Sequence, residues 1–176
     1  MKSLRKINRL RKNKIPKIFR PTQNKFKSVE DVFLTAATEF GGEESPLVFT
    51  KKAHKTALKS PYRQTMKLFG AITVLYRYSL NWAESDQNTG TNTKTYFGSY
   101  SETSGCYRPG VSQTAMGKHT ANYVSVYDGK SIASEEHLTL GSGNPSSCCS
   151  IHFWRDKANS KLIITHCGRH KPNTNS

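Results

Sequence analysis

The sequence predicts an α+β fold: two helices packed on a small antiparallel sheet, preceded by a basic N-terminal arm. Three observations predict it. Residues 1–28 hold eleven Lys and Arg and no acid, within a chain whose net charge is +15. From residue 46, a short β-prone run leads into two stretches with helical spacing. The chain then closes on two β-prone runs around a polar turn. Helices that precede a run of antiparallel strands segregate to one face of the sheet. At 176 residues there is room for one modest core and an arm.

The arm, residues 1–28, is expected to lie along a phosphate backbone through Lys2, Arg5, Lys6, Arg9, Arg11 and Lys12. Leu4, Ile7 and Leu10 form one apolar stripe, so contact with an anionic membrane surface is an alternative. A mitochondrial-type targeting segment is also basic and acid-free, but Pro16, Pro21 and the few serines argue against it. Residues 29–45 read as a short helix or connector. It begins near Ser28 with acids in its first turn, carries Val29, Val32, Phe33, Ala36 and Phe40, and ends at Gly41-Gly42.

Residues 46–176 form the main domain. Pro46 to Thr50 is β-prone, and Lys51 to Lys59 is helical with Ala53, Ala57 and Leu58. Ser60-Pro61 restarts the chain as a helix cap followed by a first-turn proline. Tyr62 to Trp82 then places Met66, Phe69, Ile72 (or Thr73), Tyr76 and Leu80 on one core face. A polar insertion spans about 85–119. Within it, 85–95 is a loop, Tyr96 to Tyr100 is strand-like and Ser101 to His119 is irregular. Thr120 to Tyr127 alternates as a strand, Asp128-Gly129 is a hairpin turn, and Lys130 to Leu140 returns. Gly141 to Ser147 is a loop. Cys149 to Asp156 and Lys161 to His170 make the closing hairpin around Lys157 to Ser160.

Several function classes lack their signatures. No apolar run reaches the roughly 18–20 residues of a membrane span. No secretory signal is visible, so the expected compartment is the cytoplasm. There, a disulfide framework for Cys106, Cys148, Cys149 and Cys167 is not expected. Cys149-x-x-His152 and Cys167-x-x-His170 repeat a zinc-like spacing. Residues three apart on a strand point to opposite faces, so neither pair converges, and no metal or other cofactor is expected. No phosphate-binding P-loop and no serine-nucleophile signature occurs. Acids are scarce after Asp86, which disfavours a two-metal nuclease.

The closing hairpin concentrates the candidate chemistry. Arg155, His166, Arg169 and His170 lie on it, with His137 on the preceding strand. Cleaving RNA needs a base for the 2′-OH, cations for the charge developing on phosphorus, and an acid for the leaving 5′-oxygen. Histidine serves either proton role near neutrality, so His166 or His170 is the candidate base or acid, with His137 joining. Arg155 and Arg169 are candidate phosphate clamps. Arg108, Lys118 and His119 are candidates for a substrate groove, whereas His54 reads as structural or exposed. A non-catalytic reading competes. In it the arm grips phosphate, and Tyr96, Phe97, Tyr100, Tyr107 and Tyr123 stack on bases. A structural nucleoprotein with a basic arm is the third reading.

Three stretches carry a family resemblance. Val48-Phe-Thr-Lys-Lys-Ala-His-Lys-Thr-Ala-Leu58 is similar to the first strand and first helix of the RelE/ParE toxin superfamily, including its HigB branch. Tyr62 to Tyr78 resembles the second helix. Phe153 to His170 resembles the final hairpin, in which a strand ends in glycine followed by basic residues. Residues 46–170 are covered, with the middle poorly matched. The resemblance implies a compact RelE-like toxin domain. Many members cleave messenger RNA at the ribosome, some inhibit DNA gyrase, and most are held inactive by an antitoxin. It places Arg155 at a basic position of the penultimate strand, and Arg169 and His170 at the functional positions after the glycine. The implied activity is a metal-independent endoribonuclease, and the implied partners are RNA or the ribosome and an acidic antitoxin. This chain departs from the pattern in its long insertion, its basic arm and the lack of a tyrosine after the last strand.

Overall fold

The computed structural model describes residues 26–84 and 93–171. In chain order these form α1 (Val29–Phe40), β1 (Leu47–Phe49), α2 (Lys51–Leu58), α3 (Thr65–Glu84), α4 (Thr93–Gly98) and β2 (Tyr107–Arg108). Then come α5 (Gln113–Tyr123), β3 (Val124–Tyr127), β4 (Lys130–Ala133), β5 (His137–Gly141), β6 (Cys148–Asp156) and β7 (Lys161–Arg169). No helix among them is long and apolar enough to cross a membrane.

The protein is a mixed α+β fold. One sheet has the strand order β1-β7-β6-β5-β2, and β3-β4 is a separate hairpin. The expectation of an antiparallel sheet needs correction, because β1 pairs with β7 in parallel, Val48 opposite Ile163. The chain passes from β1 through the helices before it returns, and that crossover permits a parallel partner. The other pairs of this sheet are antiparallel.

Local signals explain the helices. The Ser28 hydroxyl accepts from the Asp31 N–H at 3.1 Å and caps α1, and Gly41 ends it. Val29, Val32, Phe33, Ala36 and Phe40 give α1 one buried stripe. The Thr50 hydroxyl caps α2 by accepting from the Ala53 N–H, and it donates to the Ile164 carbonyl of β7 at 2.8 Å. The second long helix starts at Thr65 rather than at Pro61. Residues 61–64 are irregular instead, with the Arg63 N–H on the Ser146 carbonyl and the Tyr62 ring buried. Leu68, Phe69, Ala71, Ile72, Val74, Leu75, Tyr78 and Trp82 are all buried on α3, a wider belt than one stripe. The helix lies between α1, through Phe69 against Phe26 and Phe40, and the sheet side, through Tyr78 against Phe97.

The same core takes in Leu47, Leu138, Leu140, Cys149, Ile151, Phe153, Leu162, Ile164 and Cys167 of the sheet. Thus α1 to α4 share one face of it. Phe26, inside the segment read as arm, belongs to this core.

Two expectations in the middle of the chain are overturned. Tyr96 to Tyr100 is not a strand; Thr93–Gly98 is helical, with the Phe97 ring buried against Tyr78 and Tyr107. Thr120 to Tyr127 is not one strand either. Ser112 caps α5, which runs to Tyr123 with non-helical backbone at His119, and only Val124–Tyr127 is extended. Alternation over eight residues was a weaker signal than the cap and the alanines that follow it. Asp128 and Gly129 both adopt positive φ and make the expected hairpin turn. The return strand is split into β4 and β5, which belong to different sheets.

The closing hairpin forms as expected. At its tip, the Asp156 carboxylate accepts from the Asn159 backbone and side-chain amides. Gly168 lies against α2. A Cβ there would meet the Thr56 carbonyl oxygen at 2.6 Å, so glycine permits the close approach of helix and strand.

Candidate functional site

Strand alternation decides which side chains meet. On β5, Leu138 and Leu140 face the core, so His137 and Thr139 face the other way. On β6, Cys149, Ile151 and Phe153 face the core and His152 faces away, opposite His137. On β7, Leu162 and Ile164 face the core, and regular alternation would put His166 there too. A bulge intervenes: Phe153 pairs with Ile164 but His152 pairs with His166, leaving Thr165 as the extra residue. The inserted residue turns His166 to the far face and returns Cys167 to the core.

Three imidazoles therefore stand side by side on the sheet. His137 and His152 stack at 4.4 Å between ring centroids, and His152 meets His166 edge-on at 5.4 Å. His170, just beyond β7, lies 6.1 Å from His137. They line a cavity of about 1140 Å³. Its walls come from Lys52 and Thr56 of α2, Ala115 and Tyr123 of α5, Gly141–Gly143, and the C-terminal run Arg169 to Lys171, with Arg108 at one side. No carboxylate among the described residues lines it.

Backbone carbonyls fix the imidazole tautomers, since a carbonyl only accepts. His137 Nδ1–H donates to the Glu135 carbonyl at 2.8 Å and His152 Nδ1–H to the Ser134 carbonyl at 3.1 Å. His166 Nε2–H donates to the Arg169 carbonyl at 2.9 Å. Each ring is left with one lone-pair nitrogen. Burial lowers the pKa of His137 to about 4 and that of His166 to about 3, and Lys171 is among the cations that add to both shifts. His152 is held well below its ordinary value by burial and then by Lys171. At neutral pH these three rings are uncharged.

The cations differ among themselves. The Lys52 ammonium donates to the Val124 carbonyl and ties α2 to the start of β3. Arg108 is exposed and donates to the Gly105 and Tyr107 carbonyls. Arg169 is exposed at the cavity mouth. Lys171 is buried, its Nζ 4.8 Å from the centroid of the Tyr123 ring and without a hydrogen-bond partner among the described residues. Burial and then Lys52 lower its pKa to about 7.

Of the residues singled out in the sequence, His137, His166, Arg169, His170 and Arg108 line this cavity. Arg155 does not join them. Alternation places it with Phe153 on the helix side, where Nε and one terminal nitrogen bind both oxygens of Glu136 at 2.7 and 2.6 Å. The same nitrogen donates to Thr93 at 3.0 Å, and the guanidinium lies over Tyr78. Lys118 is exposed and His119 half-buried on α5, and neither lines the cavity. Lys2, Arg5, Lys6, Arg9, Arg11 and Lys12 lie outside the described residues. His54 pairs with Glu30 at 3.0 Å and stacks on Phe33.

The cysteines and histidines of the two zinc-like pairs also part company. Cys149 and Cys167 face the core, while His152 and His170 line the cavity. Among the described residues, no three His, Cys, Asp or Glu side chains are placed to hold a metal ion. Sequence reasoning missed the cavity roles of Lys52, His152 and Lys171. The signal for His152 was its parity with the apolar residues of β6: Cys149, Ile151 and Phe153 are odd, so His152 shares the open face.

No protein-family model, curated protein or solved structure matches this chain.

Proposed function

We propose that this protein is a metal-independent endoribonuclease acting through the four-histidine cavity. One observation carries the reading: four imidazoles, with Arg108 and Arg169 beside them, line a single cavity that no carboxylate among the described residues lines. A polyanion is favoured there and an acidic substrate is not repelled. Neutral imidazoles and arginines are the groups that RNA transesterification needs.

In the proposed step, His137 Nε2 takes the proton of a ribose 2′-OH. The oxygen attacks the adjoining phosphorus, and the bond from phosphorus to the 5′-oxygen breaks. His170, edge-on to His137 with 6.1 Å between ring centroids, gives a proton to that leaving oxygen. The products are a 2′,3′-cyclic phosphate and a 5′-hydroxyl. Arg169 and Arg108 hold the phosphate oxygens as charge accumulates. His166 keeps the Arg169 backbone in place through its bond to that carbonyl. A bound phosphodiester raises the pKa of His137 back toward neutrality, which strengthens it as a base. Arg155 has no part in this step.

The order of helices and strands, and the basic run after Gly168, support a RelE-like toxin as the wider setting. In that setting the protein acts in the cytoplasm on RNA, free or at the ribosome, and an acidic antitoxin fills the cavity. Incubating the full chain with single-stranded RNA, with and without ribosomes, tests the reading. Fragments ending in cyclic phosphate are expected. Arg169→Ala, His170→Ala and His137→Asn are each expected to lower the rate by about a hundredfold or more while the folded spectrum persists. Salt-dependent binding with no fragments under either condition would make the protein a nucleic-acid-binding module instead.

A further inference from the structure

Two buried polar atoms of residues that line the cavity stand without hydrogen-bond partners among the described residues. His152 Nε2 belongs to a side chain 1 % exposed, and Lys171 Nζ to one 6 % exposed. Both groups rest against the same Tyr123 ring, at 5.7 Å from the His152 ring and 4.8 Å from the Lys171 nitrogen. An unpaired buried polar atom is unfavourable by a few kcal/mol relative to one hydrogen-bonded or hydrated. Two of them beside one aromatic wall, in a cavity that no carboxylate among the described residues lines, make a place with unsatisfied nitrogens and no anion.

We propose that Lys171 Nζ and His152 Nε2 together seat one phosphate group, and that the phosphate enters with a proton taken up by Lys171. The inference rests on the proposed ribonuclease reading only for the expectation that this phosphate belongs to RNA. The seat itself requires no cleavage.

The surroundings of Lys171 explain the proton. Lys52 faces it from α2 and Tyr123 from α5. His137, His152 and His166 face it from three strands, and Arg108 stands near His137. Every charge in that set is positive and no carboxylate among the described residues lines the cavity to offset it, so the empty seat disfavours an ammonium. A phosphate reverses the balance. It accepts from the ammonium, and its charge draws a proton onto the amine. His152 must turn its lone-pair nitrogen into a donor to reach the same anion. It does so by exchanging tautomers, at the loss of its bond to Ser134.

Calorimetric titration of the full chain at pH 8 with inorganic phosphate, and separately with a non-cleavable 2′-O-methyl RNA tetranucleotide, tests the seat. Two buffers of different ionisation enthalpy report the protons taken up. The expected result is uptake approaching one proton per bound anion. Lys171→Met should weaken binding at least tenfold, and His152→Asn should weaken it as well. Lys171→Arg keeps a fixed charge, so binding should persist with little uptake. Stronger binding of the tetranucleotide than of phosphate assigns the seat to a nucleic acid; the reverse order assigns it to free phosphate. Unchanged affinity in Lys171→Met, or full uptake in Lys171→Arg, overturns the proposal. If the tetranucleotide binds with proton uptake and RNA stays intact, the seat stands and the ribonuclease reading falls. If RNA is cleaved by Lys171→Met at the wild-type rate, the ribonuclease reading stands and the seat does not hold the RNA that is cleaved.

Discussion

Arg155 and Lys171 are both cations at the ends of the closing hairpin, and both are largely withdrawn from solvent, yet their surroundings are opposite. Arg155 has Glu136 on two of its nitrogens, Thr93 beside it and Tyr78 beneath it. Glu136 in turn accepts from the Tyr107 hydroxyl, so the cluster joins α3, α4, β2, the residue before β5, and β6. Lys171 has an aromatic ring and other cations. A satisfied charge network rigidifies a fold. An unsatisfied one stores a free-energy deficit that a ligand relieves. The chain therefore separates its cations by role. The helix side of the hairpin uses them to hold the sheet to its helices, and the open side leaves them for something that is not part of the chain.

The largest effect that sharpens this contrast is acid unfolding. His137 and His166 are neutral in the fold, at about 4 and about 3, against 6.5 for an unperturbed ring. Above pH 6.5 neither the folded nor the unfolded chain protonates them, and they leave stability unchanged. Below 6.5 the unfolded chain takes up protons that the fold does not, so stability falls until the folded values are reached. The loss is about 3 kcal/mol for His137 alone, and about 5 kcal/mol for His166 once its lower folded value is reached. A domain of ordinary stability then unfolds near pH 4. Urea unfolding midpoints between pH 7 and 4 check this. In the His137→Asn/His166→Asn double variant the slope should flatten. An unchanged slope would mean that the open face is not the acid-sensitive one.

Next in size is the loss of the satisfied cluster. Glu136→Ala leaves the Arg155 guanidinium without its carboxylate in a site about four-fifths enclosed. A destabilisation of about 3 kcal/mol is expected, since stranding one partner of an enclosed pair is strongly unfavourable. RNA cleavage per folded molecule should stay near wild type, because neither residue lines the cavity. Denaturant unfolding measures the first effect, and turnover normalised to folded protein measures the second. A stable variant with lost cleavage would reverse the roles assigned to the two sides.

The division between the two sides was only partly legible beforehand. The β-prone closing pair, the Asp128-Gly129 turn and the Ser28 cap announce their elements through short-range chemistry, and they form as expected. The convergence of Arg155 with the histidines was a reading of proximity along the chain, and parity defeats it. Arg155 is two residues from Phe153 and shares its core side. His166 reaches the cavity only because Thr165 is inserted into the ladder, and no local feature of Ile-Ile-Thr-His marks that bulge. His152 sat in view within the zinc-like pair, but its use depended on the register that places it between His137 and His166. Lys171 looks like a solvated tail residue in sequence. Its burial depends on Tyr123, and so on a helix that extends where alternation predicted a strand.

The smallest expected effect breaks the comparison most cleanly. Lys171→Met keeps the length and apolar stem of the side chain and removes only the amine. If the amine were structural, as the Arg155 guanidinium is, its loss would destabilise the fold by several kcal/mol. Here it makes no hydrogen bond among the described residues and faces Lys52. Replacing such a group with an apolar side chain of similar volume is expected to leave stability unchanged or raise it. Thermal unfolding at pH 8 and pH 6 separates the cases. The gain should be larger at pH 6, because Lys171 at about 7 is then charged in the fold while the unfolded chain is charged at both pH values. Between those pH values wild-type Lys171 gains its proton without gaining a partner, and the methionine has none to gain. A lower melting temperature for Lys171→Met at both pH values would show that this lysine supports the fold as Arg155 does, and the distinction between the two sides would collapse.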